Sequence, residues 1–325
     1  MRQAGRYMKE YQRLRDKHTI LELCERPELA AEVTLQPVRA FDVDAAILFA
    51  DILLPARPMG VALEFRKGEG PVLSPPVRTA KGVARLREFD PAEELGYVLD
   101  AVRLARRELA HARRGGPVPL IGFAGAPFTL ASYLVEGGPS DHYLATKAMM
   151  HGEPQTWHEL MSKIARVTAR YLLAQVWAGA QAVQLFDSWV GALSRADYVR
   201  FVEPYSRQVL DALRASGVPT IHFGTGTSGF LEEFAGAGSD VVGVDWRIPL
   251  SAAWPRIGPR AIQGNLDPVL LASAPRAALK AEIKRILGEA GGKPGHIFNL
   301  GHGILPMTPT GTVRAVADWV HEFSA

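Results

Sequence analysis

Five side chains capable of acid–base or anion-binding chemistry stand where short apolar runs of this chain end. Asp51 closes Phe49-Ala-Asp51, Tyr133 closes Gly125-Ala-Pro-Phe-Thr-Leu-Ala-Ser-Tyr133, and Ser188 closes Phe186-Asp-Ser188. His302 sits between two glycines in Asn299-Leu-Gly-His-Gly303, and Arg6 belongs to the opening Met1-Arg-Gln-Ala-Gly-Arg-Tyr7 together with Arg2. A carboxylate, a phenol, a hydroxyl, an imidazole and guanidinium groups could hold an anionic ligand and move protons on it. Each also has a plain structural use. Asp51 could cap a turn or helix, His302 could fill a turn, Tyr133 could be a core aromatic, and Asp187 could pair with an arginine. The remaining apolar runs end in His222 and Gly224, in Asp245-Trp246 and in Gly264-Asn265. Together, with three arginines early in the chain, these residues point to one mouth.

The charge pattern supports an anion site without proving one. The 325-residue chain carries a formal net charge of only +3. Residues 1–17 hold Arg2, Arg6, Lys9, Arg13, Arg15 and Lys17 against Glu10 and Asp16, so positive charge is concentrated there. A solvated basic tail, a nucleic-acid arm and a pocket for a small anion all fit that pattern.

Other chemistries have less support. The single cysteine, Cys24, forms no intrachain disulfide, which fits a reducing cytosol. It has no Cys partner for zinc, and His142, His151 and His158 are not spaced as a ligand face, so no metal is expected. Ser188, His302 and Asp51 could make a hydrolytic triad, but no Gly-x-Ser-x-Gly elbow is present. No apolar run is long enough to span a bilayer, and the polar, basic start is unlike a signal peptide.

The elements that must position these residues alternate. Apolar runs at Ala45–Phe49, Pro119–Phe123, Ala182–Phe186, Thr220–Phe223, Val241–Val244, Ala261–Gln263 and His296–Leu300 read as strands buried on both faces. Helical segments are predicted at Pro91–Arg114, Pro154–Trp177, Arg195–Ala215, Pro268–Gly288 and Thr310–Phe323. The opening Met1–Gln3 reads as the tail of an eighth strand whose beginning is missing. Repeated strand–helix units with about eight strands predict an α/β fold, a (β/α)8 barrel of TIM type with its first strand truncated. No domain boundary is visible between residues 1 and 325. Val61–Phe65 and residues 68–76 predict a hairpin on a long βα loop, and Gly224–Gly229 reads as a barrel loop with some chance of touching ligand.

Two long motifs resemble a known family. Met1-Arg-Gln-Ala-Gly-Arg-Tyr7 followed by Glu10-Tyr11, and Gly125-Ala-Pro-Phe-Thr-Leu-Ala-Ser-Tyr-Leu-Val-Glu-Gly-Gly138, are similar to the two signatures of uroporphyrinogen decarboxylases. Phe49-Ala-Asp-Ile-Leu53, Gln184-Leu-Phe-Asp-Ser188, Gln263-Gly-Asn-Leu-Asp267 and Phe298-Asn-Leu-Gly-His-Gly303 fit in the same order. The resemblance implies a homodimeric, cytoplasmic (β/α)8 barrel that converts uroporphyrinogen III to coproporphyrinogen III in heme biosynthesis. It implies a tetrapyrrole as partner rather than nucleic acid or membrane, and neither metal nor organic cofactor. It further implies a substrate-binding segment Arg2-Gln3-Ala4-Gly5-Arg6 with Arg15, a central aspartate at Asp51, polar contacts from Tyr133 and Ser188, and His302 near the substrate carboxylates. Asp51, Arg2, Tyr133 and His302 are the catalytic candidates. In the family some residues usually precede the first motif, whereas here it opens at residue 1.

Overall fold

The computed structural model describes residues 5–112 and 116–324. Its strands are β1 (Ala46–Ile47), β2 (Ala62–Arg66), β3 (Gly70–Ser74), β4 (Leu120–Gly125), β5 (Ala182–Asp187), β6 (Thr220–Gly224), β7 (Val241–Gly243), β8 (Ala261–Leu266) and β9 (His296–Leu300). Seven of them form one all-parallel sheet in the order β1-β4-β5-β6-β7-β8-β9. β2 and β3 pair antiparallel, with Ala62 opposite Ser74, as the predicted hairpin. The inner strands of the parallel sheet form where they do because both their faces are buried; β9, expected to be buried on both faces, is only part-buried, with Ile297 exposed at the sheet edge. Val183 to Asp187 and all of β6 are buried, one face against helices and the other against the sheet's hollow.

Alternation along the strands decides what reaches the hollow. Gln263 Nε2 donates to Gln184 Oε1 at 3.4 Å across it, so both face inward. Phe186, two residues beyond Gln184, shares that face. Asp187 and Leu185 point the other way, towards the helices.

The sheet curls until its edges confront each other. A groove of about 500 Å³ is lined by Val43, Ala45 and Ile47 on the β1 side and by Ile297, Phe298 and Leu300 on the β9 side. An eighth strand and a closed barrel, both expected from the repeat pattern, are not found among the described residues. The predicted first-strand tail, Met1–Gln3, lies outside them.

Two helices depart from the predicted spans at prolines, and a third at Leu95. The Arg195–Ala215 segment is two helices, Arg195–Phe201 and Glu203–Leu213. Pro204 has no N–H to donate to the Arg200 carbonyl, so the ladder restarts there. Pro268–Gly288 divides likewise into Pro268–Ser273 and Arg276–Ala290, around Pro275. Pro91–Arg114 becomes Pro91–Glu94 and Gly96–Leu109, and Arg113 and Arg114 lie outside the described residues. Helices Pro27–Phe41 and Pro127–Glu136 also begin with proline, where the missing donor costs nothing. No described helix is long and apolar enough to cross a membrane.

Candidate active site

The short β1 delivers Asp51. Leu48 N–H still donates to the Ile121 carbonyl at 3.0 Å, in ladder fashion. The next N–H, that of Phe49, turns to Thr34 Oγ1 on helix Pro27–Phe41 at 2.9 Å, and the chain leaves the sheet. Asp51 then closes a turn, its Oδ1 accepting the Leu53 N–H at 2.9 Å. The capping use and the functional use therefore coexist. The carboxylate is 8% exposed and lines a cavity, and no other hydrogen bond reaches it among the described residues. Its charge is felt behind the wall. Burial holds the Tyr171 hydroxyl well above its usual range, and Asp51 adds to that after Tyr97 and Cys24.

Arg6 arrives from the opening segment. Gly5 has φ +85°, and a Cβ there would lie 2.9 Å from the Tyr11 ring, so only glycine makes this bend without displacement. Arg6 Nη1 donates to the Ile304 carbonyl at 3.0 Å. That bond pins the first segment to the loop after β9, the loop carrying His302.

His302 stacks on Phe223, with centroids 6.2 Å apart and planes at 22°. Its loop is set by Gly301, whose N–H donates to the Leu266 carbonyl at 2.7 Å. A Cβ on Gly301 would meet the Trp246 backbone nitrogen at 2.5 Å. Backbone cannot rotate away as a side chain can, so Gly301→Ala should cost about 1–3 kcal/mol. Thermal denaturation would show it as a melting temperature several degrees lower; an unchanged value would mean the loop has slack.

Tyr133 projects from helix Pro127–Glu136 and Ser188 follows β5. The Tyr133 ring lies 6.0 Å from Trp189, which in turn lies 6.3 Å from Tyr143. Burial, then Tyr133 and nearby acids, pushes the Tyr143 hydroxyl upwards, so it stays a neutral phenol at neutral pH. The Ser188 carbonyl is held by Thr225 Oγ1 at 2.6 Å.

These side chains share one cavity of about 340 Å³, lined by Arg6, Asp51, Tyr133, Ser188 and His302. Phe49, Phe123, Phe186 and Trp189 complete its wall. Phe123, Phe186 and Phe223 meet edge to face at 5.6 and 5.9 Å, forming an aromatic floor. One carboxylate and one guanidinium over such a floor suit a ligand with planar rings and anionic groups.

Other expectations resolve differently. Arg2, Gln3 and Ala4 lie outside the described residues. Arg15 is exposed at the end of helix Lys9–Arg15, donates to the His18 carbonyl, and is not among the cavity-lining residues. Three strand ends serve the scaffold instead. Asp245 accepts from the Gly226 N–H at 2.7 Å, and Asn265 Nδ2 donates to the carbonyls of Asp245 and Ile248. His222 is wholly buried. The loop Gly224–Gly229 does not line the cavity. Asp187 faces Thr129 and His222 rather than an arginine. Among the described residues no three His, Cys, Asp or Glu side chains gather as a metal-ligating group.

The aromatic wall was not singled out from sequence. One signal was available: Phe49 and Phe186 end predicted strands, each two residues before a candidate polar residue, Asp51 or Ser188. Nothing local distinguishes Trp189 from a core tryptophan.

The family described as uroporphyrinogen decarboxylase (URO-D) matches residues 1–323. A uroporphyrinogen decarboxylase of Sorangium cellulosum is 62% identical over 99% of this chain and 90% of its own length. Those of Solibacter usitatus and Thermus thermophilus are 55% and 54% identical, over 99% and 100% of this chain and 92% and 93% of theirs. Among solved structures, a methyltransferase from Methanosarcina mazei superposes with a TM-score of 0.79 at 21% identity, over 94% of this chain and 88% of that one. That likeness is one of fold.

Proposed function

From the premise that this chain belongs to the uroporphyrinogen decarboxylase family, we propose that the cavity between Arg6, Asp51, Tyr133, Ser188 and His302 grips the tetrapyrrole and is where its acetates lose CO2. The chain is a carboxy-lyase acting on uroporphyrinogen in porphyrin biosynthesis. The finer assignment is that all four acetates of uroporphyrinogen III become methyls, giving coproporphyrinogen III. One observation supports the site above all: side chains from distant strand ends meet over one aromatic floor.

Each residue then has a task. An acetate cannot hold the electron pair that CO2 leaves behind, so a sink is needed. The pyrrole itself serves. Protonation of its α-carbon gives a cationic ring; the bond to the carboxylate breaks, and its electron pair neutralises that ring. A second proton converts the exocyclic methylene to a methyl, and the α-proton departs. Asp51 stabilises the cation electrostatically, and preorganised charge of this kind is often the largest catalytic contribution. Arg6 pairs a substrate carboxylate through a charge-assisted hydrogen bond, and Arg2, Gln3, Ala4 and Gly5 are assigned to substrate binding with it. Arg15 adds positive charge to the approach. Tyr133 and His302 are the proton-transfer candidates, since an arginine such as Arg2 is too weak an acid. Ser188 contacts the macrocycle's polar rim.

The same reading completes a single-domain (β/α)8 barrel, an eighth parallel strand filling the apolar groove between β1 and β9. It also carries a homodimer working in the cytoplasm, which sedimentation and cell fractionation would test. A methyltransferase reading has less support: Cys24 is buried on helix Ile20–Glu25 and absent from the cavity lining.

The deciding experiment incubates the protein with chemically reduced uroporphyrinogen and separates products by carboxylate number. Stepwise loss of carboxylates with release of CO2 is expected. Folded protein that binds the substrate and leaves it intact would make it a carrier instead.

A further inference from the structure

Behind the cavity wall lies a buried polar cluster with no part in the chemistry so far. Asp187 and His222 are fully buried on the helix-facing side of β5 and β6. Asp187 Oδ1 accepts the Thr129 hydroxyl at 2.9 Å, and the Trp189 N–H donates to the same Thr129 oxygen at 3.4 Å. Asp187 Oδ2 lies 3.9 Å from His222 Nε2, and the His222 ring stacks on Phe234 at 3.9 Å and 18°. Neither Oδ2 nor either imidazole nitrogen has a hydrogen-bond partner among the described residues. Burial, then Asp187, holds the adjacent Tyr198 hydroxyl well above its ordinary range.

A buried carboxylate with one hydroxyl donor contributes little net stability, and an apolar pair of similar volume would pack there at least as well. What such a pair does supply is direction, since a hydrogen bond fixes an angle as well as a distance. Residues that adjoin it along the chain belong to the cavity. Ser188 and Trp189 follow Asp187 in sequence, and Tyr133 stands one helical turn beyond Thr129 in helix Pro127–Glu136.

We propose that Thr129 and Asp187 are positioning residues: their hydroxyl–carboxylate bond, backed by His222, clips helix Pro127–Glu136 to the end of β5 and so sets Tyr133 against Ser188 and Trp189 across the substrate. This rests on the cavity assignment above. Neither residue touches substrate. Displacement of a contact group by about 1 Å can lower turnover as much as a hundredfold, so a clip remote from the chemistry has a measurable effect.

The test compares Thr129→Ser, Thr129→Val and the double variant Thr129→Val/Asp187→Leu, each carrying 3-fluorotyrosine at position 133. Serine keeps the bond. Valine removes it at equal size, and the double variant removes the buried charge as well, so that folding is retained even if the single valine variant is unstable. Melting temperature, kcat and KM on uroporphyrinogen, and the 19F resonance without ligand are measured for each. Expected is a serine variant within about twofold of wild type, and a double variant as stable as wild type with kcat reduced about ten- to a hundredfold and a shifted, broadened fluorine signal. A double variant with wild-type kcat and an unmoved resonance overturns the clip. Should wild type itself release no CO2, the decarboxylase reading fails, while the fluorine resonance still decides whether the clip sets Tyr133.

Discussion

Asp51→Asn is expected to lower kcat by about a hundred- to a thousandfold, the range seen when a preorganised electrostatic group is lost from an active site. The substitution isolates charge from shape. An asparagine oxygen still accepts the Leu53 N–H that Asp51 Oδ1 accepts at 2.9 Å, so the turn after β1 survives. It also leaves the Phe49–Thr34 contact untouched. KM should change only a fewfold, because the carboxylate is needed when the pyrrole is cationic and not while that ring is neutral. A kcat loss without a KM change marks an interaction made only in the transition state. Steady-state rates with reduced uroporphyrinogen measure both. Near-wild-type kcat would remove Asp51 from the chemistry and leave it only its turn.

The second large effect separates two arginines that sequence treats alike. Arg6→Gln should raise KM about ten- to a hundredfold, since a charge-assisted bond shielded from water is worth about 1.5–3 kcal/mol. Glutamine is two bonds too short to keep the bond to the Ile304 carbonyl, so the melting temperature is measured beside KM to separate a loosened loop from a lost substrate contact. Arg15→Ala should change KM by less than about twofold, because an exposed charge is well screened. Titrating both variants at two salt concentrations sharpens the contrast: Arg15→Ala should lose what small effect it has as salt rises. Equal effects of the two substitutions would mean that the substrate reaches beyond the cavity along helix Lys9–Arg15.

How much of this could be read beforehand differs by element. The strands were legible because each is short, apolar on both faces and bounded by turn residues; β9 begins and ends at the predicted His296 and Leu300. β1 was the exception. Its run Ala45–Phe49 is strand-like throughout, yet the strand spans only Ala46–Ile47; Leu48 makes the last bond to β4, and the Phe49 N–H goes to Thr34 on a helix. Helix interruptions at Pro204 and Pro275 follow from chemistry visible in the sequence, but periodicity ran across them. Arg6 and Arg15 differ by position in a bend and on an exposed helix end, which residue type does not record.

The amino-acid order alone determined the strand–helix alternation, the polar set at the strand ends and the family likeness, because these depend on local burial pattern and on motif. Which strand ends face the cavity was decided only in three dimensions. Asp51, Tyr133, Ser188 and His302 are brought together by the sheet's curl, while Asp187, one residue from Ser188, is turned away by the two-residue alternation of a strand. Asp245 and Asn265 spend their polar atoms on loops. Convergence of distant residues is a property of packing, and a one-residue shift in facing reverses a side chain's role.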